Sequence, residues 1–424
     1  MRLIVNKTES LNGEAIIPAS KSHTIRAVVI ASLAHGISEL KNPLHSEDTK
    51  AVINACSAMG ARIEERFDSL IVEGFGARPK TPDRVLDMLN SGTSTNLILG
   101  ILAALGVEAE ITGDASLRSR PVTALTEALT ALGCEIKFQE KFGCPPLKIS
   151  GKIHKNKVSI DGSKSSQYIS SLLIACPLLK QDTEVTVLNP TELPYIEMTL
   201  KWLEEQGIRL ERDGFHWFKI FGNQGYTPIK KVIPADWSSA AFPICAAAVT
   251  DSDVLVKGID INDVQGDKAI IEYLNQMGAD IEIRENSIRV KGAKLQGRRL
   301  DINATPDTLP ALSVIGCFAE DSTGLGNVAQ ARVKETDRIT VMCKELKKMS
   351  ADIEELPDGV IIKKSHLKGA NVQGHHDHRV VMALSIAGMI AEGVTIIDTA
   401  EAVSVTYPDY VETMRQLGAE FELV

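Results

Sequence analysis

Six times along the 424-residue chain a short polar cluster runs directly into a stretch of small apolar residues. The clusters are Ser20-Lys21-Ser22-His23-Thr24-Ile25-Arg26, Asn90-Ser91-Gly92-Thr93-Ser94-Thr95-Asn96, Ser163-Lys164-Ser165-Ser166-Gln167, Asp236-Trp237-Ser238-Ser239, Asp307-Thr308 and Asp377-His378-Arg379. Counted from Ser20, Ser91, Ser163, Asp236, Asp307 and Asp377, the steps are 71, 72, 73, 71 and 70 residues. Ser, Asn and Asp are N-cap residues, so each cluster predicts a helix start. The helix that follows is apolar nearly all round and is predicted to be buried. A second signal keeps the same beat. Met59-Gly60-Ala61, Leu132-Gly133-Cys134, Gln206-Gly207-Ile208, Met277-Gly278-Ala279, Met349-Ser350-Ala351 and Leu417-Gly418-Ala419 each close an amphipathic stretch and open an alternating one. Glycine just past the last periodic residue marks a helix C-terminus, and the alternation marks a strand. One unit therefore reads strand, buried helix, strand, amphipathic helix, strand, strand.

The tripeptide Ile17-Pro18-Ala19 returns as Ile233-Pro234-Ala235, three periods later. Proline restricts the backbone and suits a crossing between lobes. The chain is thus predicted to be α/β, with two similar lobes, each of three repeated βαβαββ units around buried helices. One lobe spans about 20–234; the other combines 1–19 with 235–424. A period near seventy is long for an open solenoid, whose units seldom carry so apolar a helix.

Charge and cysteine content narrow the class. The net charge of −9 disfavours generic nucleic-acid binding, so any anion site must be a local basic island. The apolar stretch around Leu97 to Val107 is far too short to span a membrane, and Met1 to Asn6 has no signal-peptide character. Seven scattered cysteines, an odd number without close pairs, point to reduced thiols and a cytoplasmic protein. His375-His376-Asp377-His378 lacks the ligand spacing of a structural zinc site, so no metal is expected there.

A helix start offers unpaired N–H groups and the positive end of a dipole, which together suit an anion. Three clusters carry more charge than capping needs: Lys21, Ser22 and Arg26; Arg332-Val333-Lys334-Glu335-Thr336-Asp337-Arg338; and His378 with Arg379. Arg120 before Pro121 adds another cation. Arginine forks match carboxylates and phosphates, so this set suits a ligand with two or more anionic groups. Glu335 and Asp307 stand as carboxylates in cationic surroundings, where acid–base work becomes possible.

With Pro18-Ala19-Ser20-Lys21-Ser22 and Arg26, Asn90-Ser91-Gly92-Thr93, Arg120-Pro121, Asp161-Gly162-Ser163, Ser165-Ser166-Gln167, Arg332 to Arg338 and Asp377-His378-Arg379, the chain resembles the 5-enolpyruvylshikimate-3-phosphate synthase family over essentially its whole length. The resemblance implies the inside-out α/β barrel lobes of the enolpyruvyl transferases, closing a cleft between them. It implies transfer of the enolpyruvyl group of phosphoenolpyruvate to the 5-hydroxyl of shikimate 3-phosphate, by addition and elimination, with neither metal nor organic cofactor. Lys21, Ser22, Arg26, Ser165, Ser166, Gln167, Tyr195, Asp307, Gln330 and Lys334 would hold shikimate 3-phosphate. Lys21, Gly92, Arg120, Gln167, Arg338 and Arg379 would hold phosphoenolpyruvate. Asp307, Glu335, Lys21 and His378 would be catalytic, Asp307 taking the hydroxyl proton. The 20–234 lobe would be the shikimate-phosphate side, the other would complete the phosphoenolpyruvate site, and the protein would act as a monomer without membrane or nucleic-acid partners.

Some positions depart from the family pattern. Glu192 stands for a phosphate-binding serine, where an acid opposes a phosphate unless it turns away or pairs with a cation. Val405 replaces a lysine, Asn96 an arginine and Gln330 an asparagine. The sister transferase acting on UDP-N-acetylglucosamine carries a cysteine shortly before the Arg-Pro pair. Gly113 to Ser119 has none, and Lys21 is followed by Ser22 rather than asparagine.

Overall fold

The computed structural model describes the whole chain, Met1 to Val424. It divides into two compact units, one of Ala19–Ile233 and one of Met1–Pro18 with Pro234–Val424. Six four-stranded sheets are present, three in each unit, and the α/β class predicted from the repeat holds. The six apolar helices are Lys21–Leu33, Gly92–Leu105, Gln167–Ala175, Trp237–Val249, Leu309–Phe318 and His378–Ile390, and nearly every residue in them is buried. Such helices need small faces where they approach one another. A methyl group added at Gly100 would run into Ser171 of the neighbouring helix.

Each sheet mixes one parallel pair with two antiparallel pairs. In the second repeat Leu86–Asp87 runs parallel to Ala109–Thr112, which pairs antiparallel with Leu147–Gly151, itself antiparallel to Cys134–Phe138. At the two crossings the leading strands are exchanged. Strand Asn12–Ile16 precedes the Lys21 helix in sequence but pairs with Asp253–Lys257, while Lys230–Val232 precedes the Trp237 helix but pairs with His35–Lys41. The unit of Met1–Pro18 and Pro234–Val424 thereby completes one sheet with a strand from before the Pro18 crossing, while the Ala19–Ile233 unit completes one with its own last strand.

The glycine signal has a backbone cause. Gly60, Gly133, Gly207, Gly278 and Gly418 follow the amphipathic helices with φ between 68° and 114°. Ser350 occupies the same place in the fifth repeat with φ 71°, a conformation that carries a steric cost for any residue with a Cβ. No helix is long and apolar enough to cross a membrane.

The predicted helix starts are present, but only half of them use the predicted cap. Ser20, Ser91 and Asp377 accept a backbone N–H from the first turn through their side chains. Asp236 is an N-cap that instead accepts from the Ser239 hydroxyl at 2.8 Å. The third helix begins at Gln167 rather than beside Ser163, whose own N–H and hydroxyl go to Asp161. Asp307 lies in a 3-10 turn, Pro306–Thr308, and two arginines take its carboxylate.

Candidate active site

In the Ala19–Ile233 unit, three helix starts hold the sequence-predicted residues. Lys21 opens its helix almost wholly buried, its ammonium 2.9 Å from Asp48 Oδ2. Arg26, one turn on, is 1 % exposed. Its Nε donates to Thr199 Oγ1 at 2.9 Å, and its Nη atoms donate to the carbonyls of Ser22 at 3.0 Å and Tyr195 at 3.2 Å. Burial lowers its pKa, and the nearby Tyr195 opposes that shift. Arg26 is therefore embedded beneath Ser22 and Tyr195 and joins the two segments through its hydrogen bonds.

Gly92, Arg120 and Gln167 converge. A Cβ on Gly92 would sit 3.3 Å from Arg120 Nη1 and 3.9 Å from Gln167 Oε1. Arg120 is aimed by Asn90, donating to its carbonyl at 3.2 Å and its Oδ1 at 2.5 Å, and by Ser116 Oγ at 3.2 Å. Gln167 Nε2 donates to Thr93 Oγ1 at 3.0 Å, while Asn96 Nδ2 donates to Gln167 Oε1 at 2.8 Å. Asn96, where the family pattern has a cation, thus fixes the Gln167 amide. Ser165 Oγ accepts the Gln167 N–H at 3.2 Å.

Glu192 explains its own departure. It is 2 % exposed and accepts both the Ser166 hydroxyl, at 2.9 Å, and the Ser166 N–H, at 3.3 Å. The carboxylate stands in for a cap at this helix start, and a negative charge is favoured there. Both Ser166 donors are thereby engaged by Glu192.

The second unit carries the rest. Arg338, first residue of the Arg338–Lys348 helix, is fully buried and gathers three carboxylates. Its Nε donates to Asp377 Oδ2 at 2.8 Å, Nη1 to Asp307 Oδ1 at 2.5 Å, and Nη2 to Glu335 Oε2 at 2.6 Å. Arg379 Nη2 lies 3.1 Å from Asp307 Oδ2, and Arg379 Nη1 is 2.6 Å from His378 Nε2. Asp377 also accepts from Thr336 Oγ1 at 3.1 Å and the Arg379 N–H at 3.0 Å. Burial works against ionising Asp307, but Arg379 and Arg338, helped by Lys334, outweigh it and hold the acid well below the ordinary carboxylate range. Lys334 and Glu335 are half-buried, between a 3-10 turn and the Arg338 helix. Gln330 is buried and donates to the Asn303 carbonyl at 2.8 Å. Arg332 faces Asp337, Glu355 and two backbone carbonyls instead of the carboxylate cluster. Val405 is half-buried at the end of a 3-10 segment, and nothing in the structure explains the replacement.

A pattern missed in the sequence links the repeats. A charged residue 26 to 31 positions beyond each of five clusters reaches back to it. Asp48, Glu192 and Asp267 are acids that receive Lys21, Ser166 and Ser238; Arg120 and Arg338 are bases that donate to Asn90 and Asp307. The spacing was the available signal, but an acid at a helix start reads first as a dipole complement. Asp267 is 1 % exposed, and burial first, then the charge of Asp307, pushes its pKa up to about 7. An acid raised on folding favours the folded state most below its unfolded pKa, about 3.9 for aspartate, and that contribution fades as pH rises through the folded value. Relative to the parent, Asp267→Asn should therefore gain roughly 1–4 kcal/mol between pH 4 and pH 8. Urea unfolding at the two pH values measures this, and equal differences at both would show that Asp267 ionises as readily in the folded protein as in the unfolded chain.

Cationic helix starts set against buried carboxylates define an anion-handling α/β protein. Residues 5–414 match the family described as EPSP synthase (3-phosphoshikimate 1-carboxyvinyltransferase). The chain is 48 % identical, over 99 % of both sequences, to the 3-phosphoshikimate 1-carboxyvinyltransferase of Acetivibrio thermocellus. It is 44 % identical, over the full length of both, to the protein of that name from Ruminiclostridium cellulolyticum. The solved EPSP synthase of Acinetobacter baumannii superposes with a TM-score of 0.84 at 30 % identity, covering 100 % of this chain and 99 % of the other. The chain belongs to the EPSP synthase family.

Proposed function

We propose that the protein transfers the enolpyruvyl group of phosphoenolpyruvate to the 5-hydroxyl of shikimate 3-phosphate and releases phosphate, as a cytoplasmic monomer. The observation that carries this reading, beside family membership, is a half-buried carboxylate, Asp307, held between Arg338 and Arg379 with Glu335 on the same arginine. In the first step the hydroxyl O–H breaks, its oxygen bonds to the enol carbon and the methylene carbon gains a proton. In the second step the methyl group loses a proton and the C–O bond to phosphate breaks. Asp307 accepts the hydroxyl proton, while Glu335 and Lys21 move protons at the methylene carbon and the leaving phosphate.

Anion binding and base strength are coupled in this scheme. With both arginines on Asp307 the carboxylate is a weak base. A phosphoenolpyruvate anion that draws Arg379 and Arg338 donors to itself weakens those ion pairs, so Asp307 becomes more basic once the substrate is present. Arg120, Gln167, Gly92 and Lys21 serve the same substrate, with His378 steadying Arg379. Lys21, Ser22, Ser165, Gln167, Tyr195, Gln330 and Lys334 serve shikimate 3-phosphate, while Arg26 and Ser166 act by fixing their neighbours. Fixed cations and helix ends offset the repulsion of two polyanions and remain in place as charge develops.

Phosphate release with both substrates tests the reading, and turnover requiring each of them is the expected result. Release only with an unphosphorylated acceptor would select a divergent enolpyruvyl transferase instead.

A further inference from the structure

Glu345 is an anomaly on the Arg338–Lys348 helix: a carboxylate with 0 % exposure, outside the cluster described above. Burying an acid is costly unless donors surround it. Here Lys348 Nζ donates to Oε2 at 2.6 Å, the Gln373 N–H donates to Oε2 at 2.9 Å, and His375 Nε2 stands 3.0 Å from Oε1. Burial opposes ionisation, but Lys348, the Gln373 N–H and His375 together hold Glu345 below the ordinary carboxylate range. Two of those three partners lie on the segment that leads into Asp377-His378-Arg379.

That segment is strained. His375 and His376 are consecutive non-glycine residues with φ 53° and 56°. Such residues carry a steric cost and persist only where surrounding bonds enforce them. The bonds are present. The Gly374 N–H donates to Asp398 Oδ1 at 2.8 Å, the His376 N–H to Thr399 Oγ1 at 3.1 Å, and the Asp377 N–H to the Gly374 carbonyl at 2.9 Å. The turn delivers Asp377, whose carboxylate takes Arg338 and the Arg379 N–H. Arg338 and Glu345 are seven residues apart, two turns of one helix, and so share a face. One helix thus grips the start of the His378 helix at two points, through Arg338 on Asp377 and through Glu345 on the preceding turn.

We propose that Glu345 and His375 are positioning residues that hold the strained turn and thereby set the anion-binding geometry of His378 and Arg379. The inference deepens the transferase reading and rests on it for its kinetic arm. His375→Ala and Glu345→Gln should each raise KM for phosphoenolpyruvate about tenfold, with kcat and KM for shikimate 3-phosphate changed by about threefold or less. Lys348→Met, which removes a bond to Glu345 but touches nothing in the turn, should leave KM for phosphoenolpyruvate within about twofold. Amide hydrogen exchange in the free protein supplies a second arm: residues 374–379 should exchange about tenfold faster in the first two variants. His375 is partly exposed, so His375→Ala decides the matter even where Glu345→Gln does not fold. An unchanged KM in His375→Ala, or an equal rise in Lys348→Met, would overturn the proposal. Absence of turnover in the parent would defeat the transferase reading alone. The exchange arm would then decide the tether by itself, with faster exchange confined to 374–379 supporting it and unchanged exchange refuting it.

Discussion

Replacing Arg338 with methionine should destabilise the protein by about 3–5 kcal/mol and abolish turnover. The reason is the number of charges that depend on it. Asp307, Glu335 and Asp377 all accept hydrogen bonds from a guanidinium with no solvent exposure. Methionine fills similar volume but leaves three carboxylates near one another with less cation to share. The carboxylates can escape by taking up protons, which fixes the sign of the pH dependence. The penalty of Arg338→Met should be larger at pH 8 than at pH 5, because acid relieves the repulsion. Arg338→Lys should fall between, since an ammonium supplies charge but cannot reach three acceptors with a planar fork. Urea unfolding across pH measures both variants. A loss below about 1 kcal/mol at pH 8 would mean that the cluster is held by Arg379 and the helix starts instead.

Much of this fold was legible because the same physics recurs six times. The run Leu97 to Leu105 has no polar face, so burial was its only stable outcome, and all but Leu105 is buried. Gly133 at φ 114° and its counterparts were readable because only glycine adopts that geometry without cost. Ser350 was legible only through the repeat, since serine at φ 71° announces nothing in isolation. The pairing partners of strands Asn12–Ile16 and Lys230–Val232 were not readable, because they depend on tertiary pairing and not on local pattern.

The site divided in the same way. Lys21 and Arg379 stood out because cations at helix starts serve no capping purpose, Arg338 stood out in the charged run from Arg332, and Arg120 stood out before Pro121. Their partners did not. Asp48 resembles an ordinary first-turn acid, yet it holds the Lys21 ammonium at 2.9 Å. Glu192 read as a flaw in a phosphate site, whereas its carboxylate is built into the Ser166 helix start. Glu345 sits on an amphipathic helix where an acid every few residues is unremarkable in sequence, and only burial reveals its role.

Asp307→Asn should lower kcat by roughly 10²–10⁴-fold while leaving the affinity for shikimate 3-phosphate within about tenfold. The asparagine keeps the shape of the side chain and one acceptor, but it cannot take a proton from the attacking hydroxyl. It also faces two guanidiniums with an amide in place of a charge, so the stability effect has a definite sign. A carboxylate whose pKa falls on folding stabilises the folded state above its unfolded value of about 3.9, and that contribution disappears as pH drops through the folded value. Asp307→Asn should therefore be less stable than the parent at pH 7 and closer to it near pH 3. Pre-steady-state measurement separates proton transfer from binding, because a substrate-binding role would raise the dissociation constant while leaving the chemical step intact. Near-normal single-turnover rates in Asp307→Asn would pass the proton-accepting role to Glu335, which shares Arg338 with it.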